Sequence, residues 1–131
     1  MSSKPKAIEI VQTVEEFQQI IGFEKEQLVA VLYAAPWCRA CKAVTPKFLQ
    51  LAQRYAKIAK RKRRQPSQST PKFVQVPVSQ DNMNVLKGLG VEKFPMYQLY
   101  HPQHGLVASG PFLRKVVHEF EDTLRWHLNH A

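Results

Sequence analysis

The chain has 131 residues, of which 44% are hydrophobic, and a net charge of +9. This length suits one compact domain over residues 1–131, and the composition excludes a disordered chain. No apolar run is long enough to span a bilayer, and Met1–Ile8 lacks the apolar stretch of a signal peptide, so no membrane role is expected. Only two cysteines are present, Cys38 and Cys41, with two residues between them. A disulfide closing so small a loop restrains the unfolded chain weakly, which argues against a structural staple. Without a secretion signal, a reducing compartment is expected, where such a pair is catalytic or metal-binding.

In chain order, Ile8–Val11 reads as a short strand. Thr13 followed by Glu16 makes a capping box, and Val14, Phe17, Ile20 and Ile21 share one helical face. Leu28–Ala34 is a continuous apolar run, the pattern of a central strand covered on both sides. Pro36-Trp37-Cys38-Arg39-Ala40-Cys41 follows at once and opens a long helix with Phe48, Leu51, Ala52, Tyr55, Ile58 and Ala59 on one face. Pro46 inside it is expected to kink it. Gln65–Pro71 reads as a loop, Phe73–Val78 as a strand whose pairing stops near Pro77. Met83, Leu86 and Leu89 mark a short helix ended near Gly88 or Gly90. Met96–Tyr100 and Leu106–Ser109 form a hairpin through His101–Gly105. Leu113, Val116, Val117, Phe120, Leu124 and Leu128 form a closing amphipathic helix. The order is β-α-β-α-β-α-β-β-α.

The Cys pair gains meaning from its place. A buried strand delivers Cys38 to the start of a helix, whose dipole and free N–H groups favour a thiolate. Arg39 adds a positive charge. Cys38 is then the nucleophile that forms a mixed disulfide with a substrate. Cys41, one turn on, attacks back. Trp37 shields one side and offers an apolar contact. A metal centre is not expected: zinc wants four ligands, and His101, His104, His118, His127 and His130 make no finger pattern with the two cysteines.

Ala35-Pro36-Trp37-Cys38-Arg39-Ala40-Cys41-Lys42, then Pro46, resembles the active-site region of thioredoxins. Phe94-Pro95, the following strand, Gly105 and Ser109-Gly110 resemble the family's second half. The resemblance implies an α/β thioredoxin fold, a mixed sheet of about five strands flanked by about four helices. It implies that Pro95 is the family's cis-proline facing the Cys pair, and that Phe94, Gly90 and Gly110 line a groove for a substrate peptide. It also implies no cofactor. Substrate-binding residues on this reading are Trp37, Arg39, Phe94, Pro95 and Gly110. The chain departs from the family in three ways. The buried Asp usual six residues before the first cysteine is Leu32, and its Lys partner falls at Val76. Arg-Ala stands between the cysteines. The passage into the third strand is roughly a dozen residues longer, a basic insertion at about 57–72. The second half, Phe73 through Gly110, also resembles the Cys/His-rich thioredoxins of plastids.

Five positive charges, Lys60–Arg64, sit in one run, and removing them would leave +4. As a solvated helix end they need no special role. Sharper readings are nuclear targeting, a nucleic-acid patch, or steering of acidic partners. No aromatic residue interleaves with the run, which disfavours nucleic acid. The leading expectation is a protein-disulfide reductase acting on disulfide-bearing substrates, acidic ones if steering operates, and re-reduced by an upstream thiol reductase. Alternatives are a redox-dependent binding module with slow turnover, a disulfide isomerase, and a basic nucleic-acid-binding domain. The expected location is the cytoplasm or plastid stroma, with the nucleus open through Lys60–Arg64.

Overall fold

The structure is a computed structural model that describes residues 7–62 and 70–130. Its elements run β1 (Glu9–Ile10), α1 (Val14–Phe23), β2 (Val29–Ala34), α2 (Arg39–Lys62), β3 (Lys72–Pro77), α3 (Met83–Gly88), β4 (Met96–His101), β5 (Gly105–Pro111) and α4 (Val117–Asn129), with a 3-10 turn at Arg114–Val116 before α4. This is the order expected from the sequence, a five-stranded mixed sheet with four helices.

The sheet order is β1-β3-β2-β4-β5. β2 lies at its centre, parallel to β3 and antiparallel to β4. Every residue of β2 is buried, as its unbroken apolar run requires when helices cover both faces. On one face Ala30, Leu32 and Ala34 pack with Cys41, Val44, Phe48, Leu51, Phe73, Phe112, Phe120 and Leu124. On the other, Val29, Val31 and Tyr33 pack with Val14, Phe17, Val74, Val76 and Leu86. Phe48 anchors the first layer, meeting Phe73, Phe112 and Phe120. Phe17 anchors the second, edge-on to Tyr33 and Tyr100.

Local chemistry sets the boundaries. The Thr13 hydroxyl accepts the Glu16 amide at 3.1 Å, while the Glu16 carboxylate reaches the amide of Gln12 at 3.4 Å, one residue before the one a capping box would use. β1 is shorter than the sequence suggests because it is an edge strand pairing with β3 alone, although Val11 still donates to Gln75 O at 3.1 Å. Pro77 has no N–H to give, and the ladder resumes once more with Val78 donating to Ala34 O at 2.8 Å. Gly90 takes φ +89 after α3, a conformation side chains resist. α2 stays helical through Pro46. Beside it the Thr45 hydroxyl donates to the Cys41 carbonyl at 2.7 Å. Burial along α2 fades after Ala52, because the helix outruns the sheet. Lys60 and Arg61 are exposed on its last turns, and Arg63 and Arg64, with the rest of 63–69 in the expected insertion, lie outside the described residues. His101, expected to open the hairpin turn, is the last residue of β4 and is buried at 6% exposure, its Nδ1 accepting from Gln103 N at 3.0 Å.

Candidate active site

β2 ends at Ala34, and Ala35 turns the chain through Pro36 and Trp37 into α2. The Cys38 amide donates to Ala35 O at 3.1 Å, and the Cys38 carbonyl accepts the first bond of the helix, from Lys42 N at 3.1 Å. Cys38 therefore holds the N-cap position, where a side chain accepts an otherwise unpaired helix amide. Its sulfur does so: Cys41 N donates to Cys38 Sγ at 3.2 Å. The amide and the positive end of the helix dipole both face this sulfur, and a helix N-terminus favours negative charge. Cys38 is partly exposed, Cys41 is buried at 1% exposure, and both are free thiols.

Cys41 Sγ accepts the Ala35 amide at 3.5 Å. Burial, then the hydrogen bond with Cys38, pushes its thiol up to about 12. The Phe94–Pro95 bond is cis, as the resemblance implied, and Phe94 O lies 3.9 Å from Cys38 Sγ, within reach of its thiol proton. The rings of Trp37 and Phe94 meet edge to face at 6.3 Å, leaving Trp37 56% exposed. Pro95 is buried, with its carbonyl accepting Phe112 N at 3.0 Å. Gly110 lies opposite Tyr97 in the β4–β5 ladder, next to the Pro111 that pairs with Met96. A Cβ at Gly110 would come 3.2 Å from the Tyr97 ring, so the glycine lets that ring lie close. Phe94 thus meets both Cys38 and Trp37, with Pro95 joined to it through the cis bond, whereas Gly110 touches none of these residues through a described contact. Arg39 is exposed on the first turn of α2.

One expectation needs correction. Leu32 is fully buried in the cluster that contains Cys41, as its alignment suggested. Its neighbour on β3 is Gln75, however, while Val76 pairs with Tyr33 on the opposite face. Side chains alternate along a strand, so the position facing Leu32 is Gln75. The sequence also gave no sign of a groove of about 320 Å³ beside α2, lined by Ala40, Ala43, Val44, Leu113, Arg114 and Lys115. Those residues come from two stretches far apart in sequence, and nothing local marks their meeting. Among the described residues, no cluster of three or more His, Cys, Asp or Glu side chains could hold a metal ion.

The thioredoxin family model matches residues 8–111. Thioredoxin of Mus musculus is 26% identical over 93 residues, covering 71% of this chain and 75% of that protein. A thioredoxin-like protein of Acanthamoeba polyphaga mimivirus is 26% identical over 57 residues, and there the match spans 44% of this chain and 42% of the viral protein. Among solved structures, thioredoxin F from spinach chloroplast (short form) superimposes with a TM-score of 0.73 at 18% identity, covering 97% of this chain and 98% of that one. With the family's model matched across most of its length and the strand-to-helix Cys pair in place, the chain belongs to the thioredoxin family.

Proposed function

We propose that this thiol oxidoreductase reduces disulfides in protein substrates through Cys38 and Cys41. The observation that supports it is the asymmetry of the pair: one sulfur partly exposed at a helix N-cap, the other buried one turn behind it. In the forward reaction the Cys38 thiolate attacks one sulfur of a substrate disulfide. The substrate S–S bond breaks, a Cys38–substrate disulfide forms, and the first substrate sulfur leaves as a thiolate that takes a proton. Cys41 then loses its proton and attacks Cys38 Sγ. The mixed disulfide breaks, the Cys38–Cys41 disulfide forms, and the second substrate thiol departs. Two electrons and two protons pass from the dithiol to the substrate. An upstream thiol reductase must return them for turnover to continue.

Trp37 and Phe94 give the substrate an apolar wall, Pro95 and the Phe94 carbonyl border Cys38, and Gly110 and Arg39 complete the groove on this reading. The dithiol form requires a reducing compartment, cytoplasm or plastid stroma. The test is reduction of insulin disulfides with dithiothreitol as electron source. Cys38→Ser abolishes turnover, and Cys41→Ser accumulates mixed disulfides with substrate. Turnover by Cys38→Ser would overturn the assignment. A second reading, a redox-dependent binding module with slow release, is favoured by the apolar surroundings of Cys41. It is distinguished by mixed disulfides that persist in the wild-type protein.

A further inference from the structure

The groove beside α2 begins within the Cys-X-X-Cys segment, at Ala40. Ala40 stands between the two cysteines, and Ala43 and Val44 follow on the next turn. Leu113, Arg114 and Lys115 close it from the segment that leads into α4. Its volume of about 320 Å³ sits at the lower end of ordinary pocket sizes, ~300–1,000 Å³. That suits one large side chain of a bound peptide better than a cofactor. The floor is apolar and the rim is cationic. Arg114 and Lys115 are exposed, as are Arg39 and Lys42 on the adjoining turn of α2, and none of the four forms an ion pair within the described structure. Glu119, one turn beyond Lys115, does not neutralise it through an ion pair either.

The expected source of charge steering was the run Lys60–Arg64, and geometry argues against it. α2 rises about 1.5 Å per residue, so Lys60 stands about 33 Å along the helix from Cys38. Exposed charges are screened over about 8 Å at physiological salt. Nearer the cysteines stand Arg39 and Lys42 on α2, Lys93 beside Phe94, and the Arg114 and Lys115 that share the groove with Ala40.

We infer that this groove selects the substrate: it takes a large apolar side chain flanked by carboxylates, close in sequence to the substrate cysteine that Cys38 attacks. This rests on the disulfide-reductase reading and specifies its substrate class. The apolar side chain fills the space over Ala40, Ala43, Val44 and Leu113. The carboxylates meet Arg114 and Lys115, which raises encounter rate and fixes register.

The experiment uses two disulfide-linked reporter peptides, identical except that Glu-Leu-Glu beside the cysteine in one is Gln-Leu-Gln in the other. Pre-reduced protein is mixed with each and single-turnover release is followed. At low salt the wild type reduces the acidic peptide about fivefold faster, the scale of two exposed charge contacts, and the preference fades at high salt. Arg114→Glu with Lys115→Glu removes or reverses the preference. Lys60→Glu with Arg61→Glu makes the same change in net charge at the far end of α2 and keeps it. Equal rates for both peptides in the wild type, or the same loss of preference in both double variants, would overturn the inference. If the wild type reduces neither peptide although dithiothreitol reduces both, the disulfide-reductase reading fails instead.

Discussion

Burial, Cys38 and backbone amides set the state of the Cys41 thiol, and no carboxylate contributes. Where the family places a buried Asp, this chain has Leu32, which cannot take a proton from Cys41. The thiolate is the form that attacks, so release from the mixed disulfide is expected to be slow near neutrality. It should quicken by roughly tenfold per pH unit between pH 6 and 9, as the ionised fraction rises. Stopped-flow measurement of mixed-disulfide release checks this, and a flat profile would show that another group acts as base. Leu32→Asp should speed release near pH 7 while destabilising the fold by about 3 kcal/mol or more, from lost packing and a buried carboxyl. Pairing it with Gln75→Lys, not with a change at Val76, should restore part of that loss, because Gln75 is the β3 residue in register with Leu32. In the reduced protein, alkylation should modify Cys38 well before Cys41, read by peptide mass mapping. Exposure and the raised Cys41 thiol both favour that order.

At the scale of elements, a buried polar knot ties the sheet to its second face. The hydroxyls of Tyr33 and Tyr100 donate to Gln98 Oε1 at 2.6 and 2.7 Å, and Gln98 Nε2 donates to Leu89 O at 3.3 Å. Tyr33 and Gln98 are almost wholly buried. Gln98→Leu removes the acceptor that both hydroxyls share and should cost about 2–4 kcal/mol, against about 1 kcal/mol for Tyr33→Phe, which removes one partner and leaves Gln98 bonded. Urea denaturation of the reduced proteins measures both. Nothing in the sequence marked Gln98, since a polar residue in a hairpin strand reads as facing water until its neighbours are known. The Cys pair, Phe94-Pro95, the apolar β2 run and the helix faces were legible because each is a local pattern. The β3 position facing Leu32 was not. A slip of one residue in a strand carries a side chain to the other face, and the lengthened connection before β3 leaves that register open in the sequence. β1 was overextended for a related reason: Ile8 and Val11 are apolar, but how far an edge strand pairs depends on its neighbour.

Across the whole molecule, alkaline pH should act in one direction. Burial raises the Cys41 thiol from its usual 9.0 to about 12, and raises the phenols of Tyr33, Tyr55, Tyr97 and Tyr100 as well. A group held neutral in the fold contributes stability below its unfolded pKa and loses it as pH climbs towards the folded value. From Cys41 alone the reduced protein should weaken above pH 9 by up to about 1.4 kcal/mol per pH unit. Tyr33 and its neighbours add to the decline at higher pH. Cys41→Ala should show a shallower slope than wild type between pH 9 and 10 in urea titrations, and equal slopes would refute the assignment to Cys41. The position of that sulfur also makes it a clock. It is packed against β2, which has a neighbour on both sides, whereas β1 and β5 each pair on one side only. Fraying of either border leaves it covered. In a Cys38→Ser variant, then, each modification of Cys41 by a thiol reagent would record one opening of the central sheet. The logarithm of its labelling rate should fall in step with global stability, so one thiol would report how firmly the whole chain is closed.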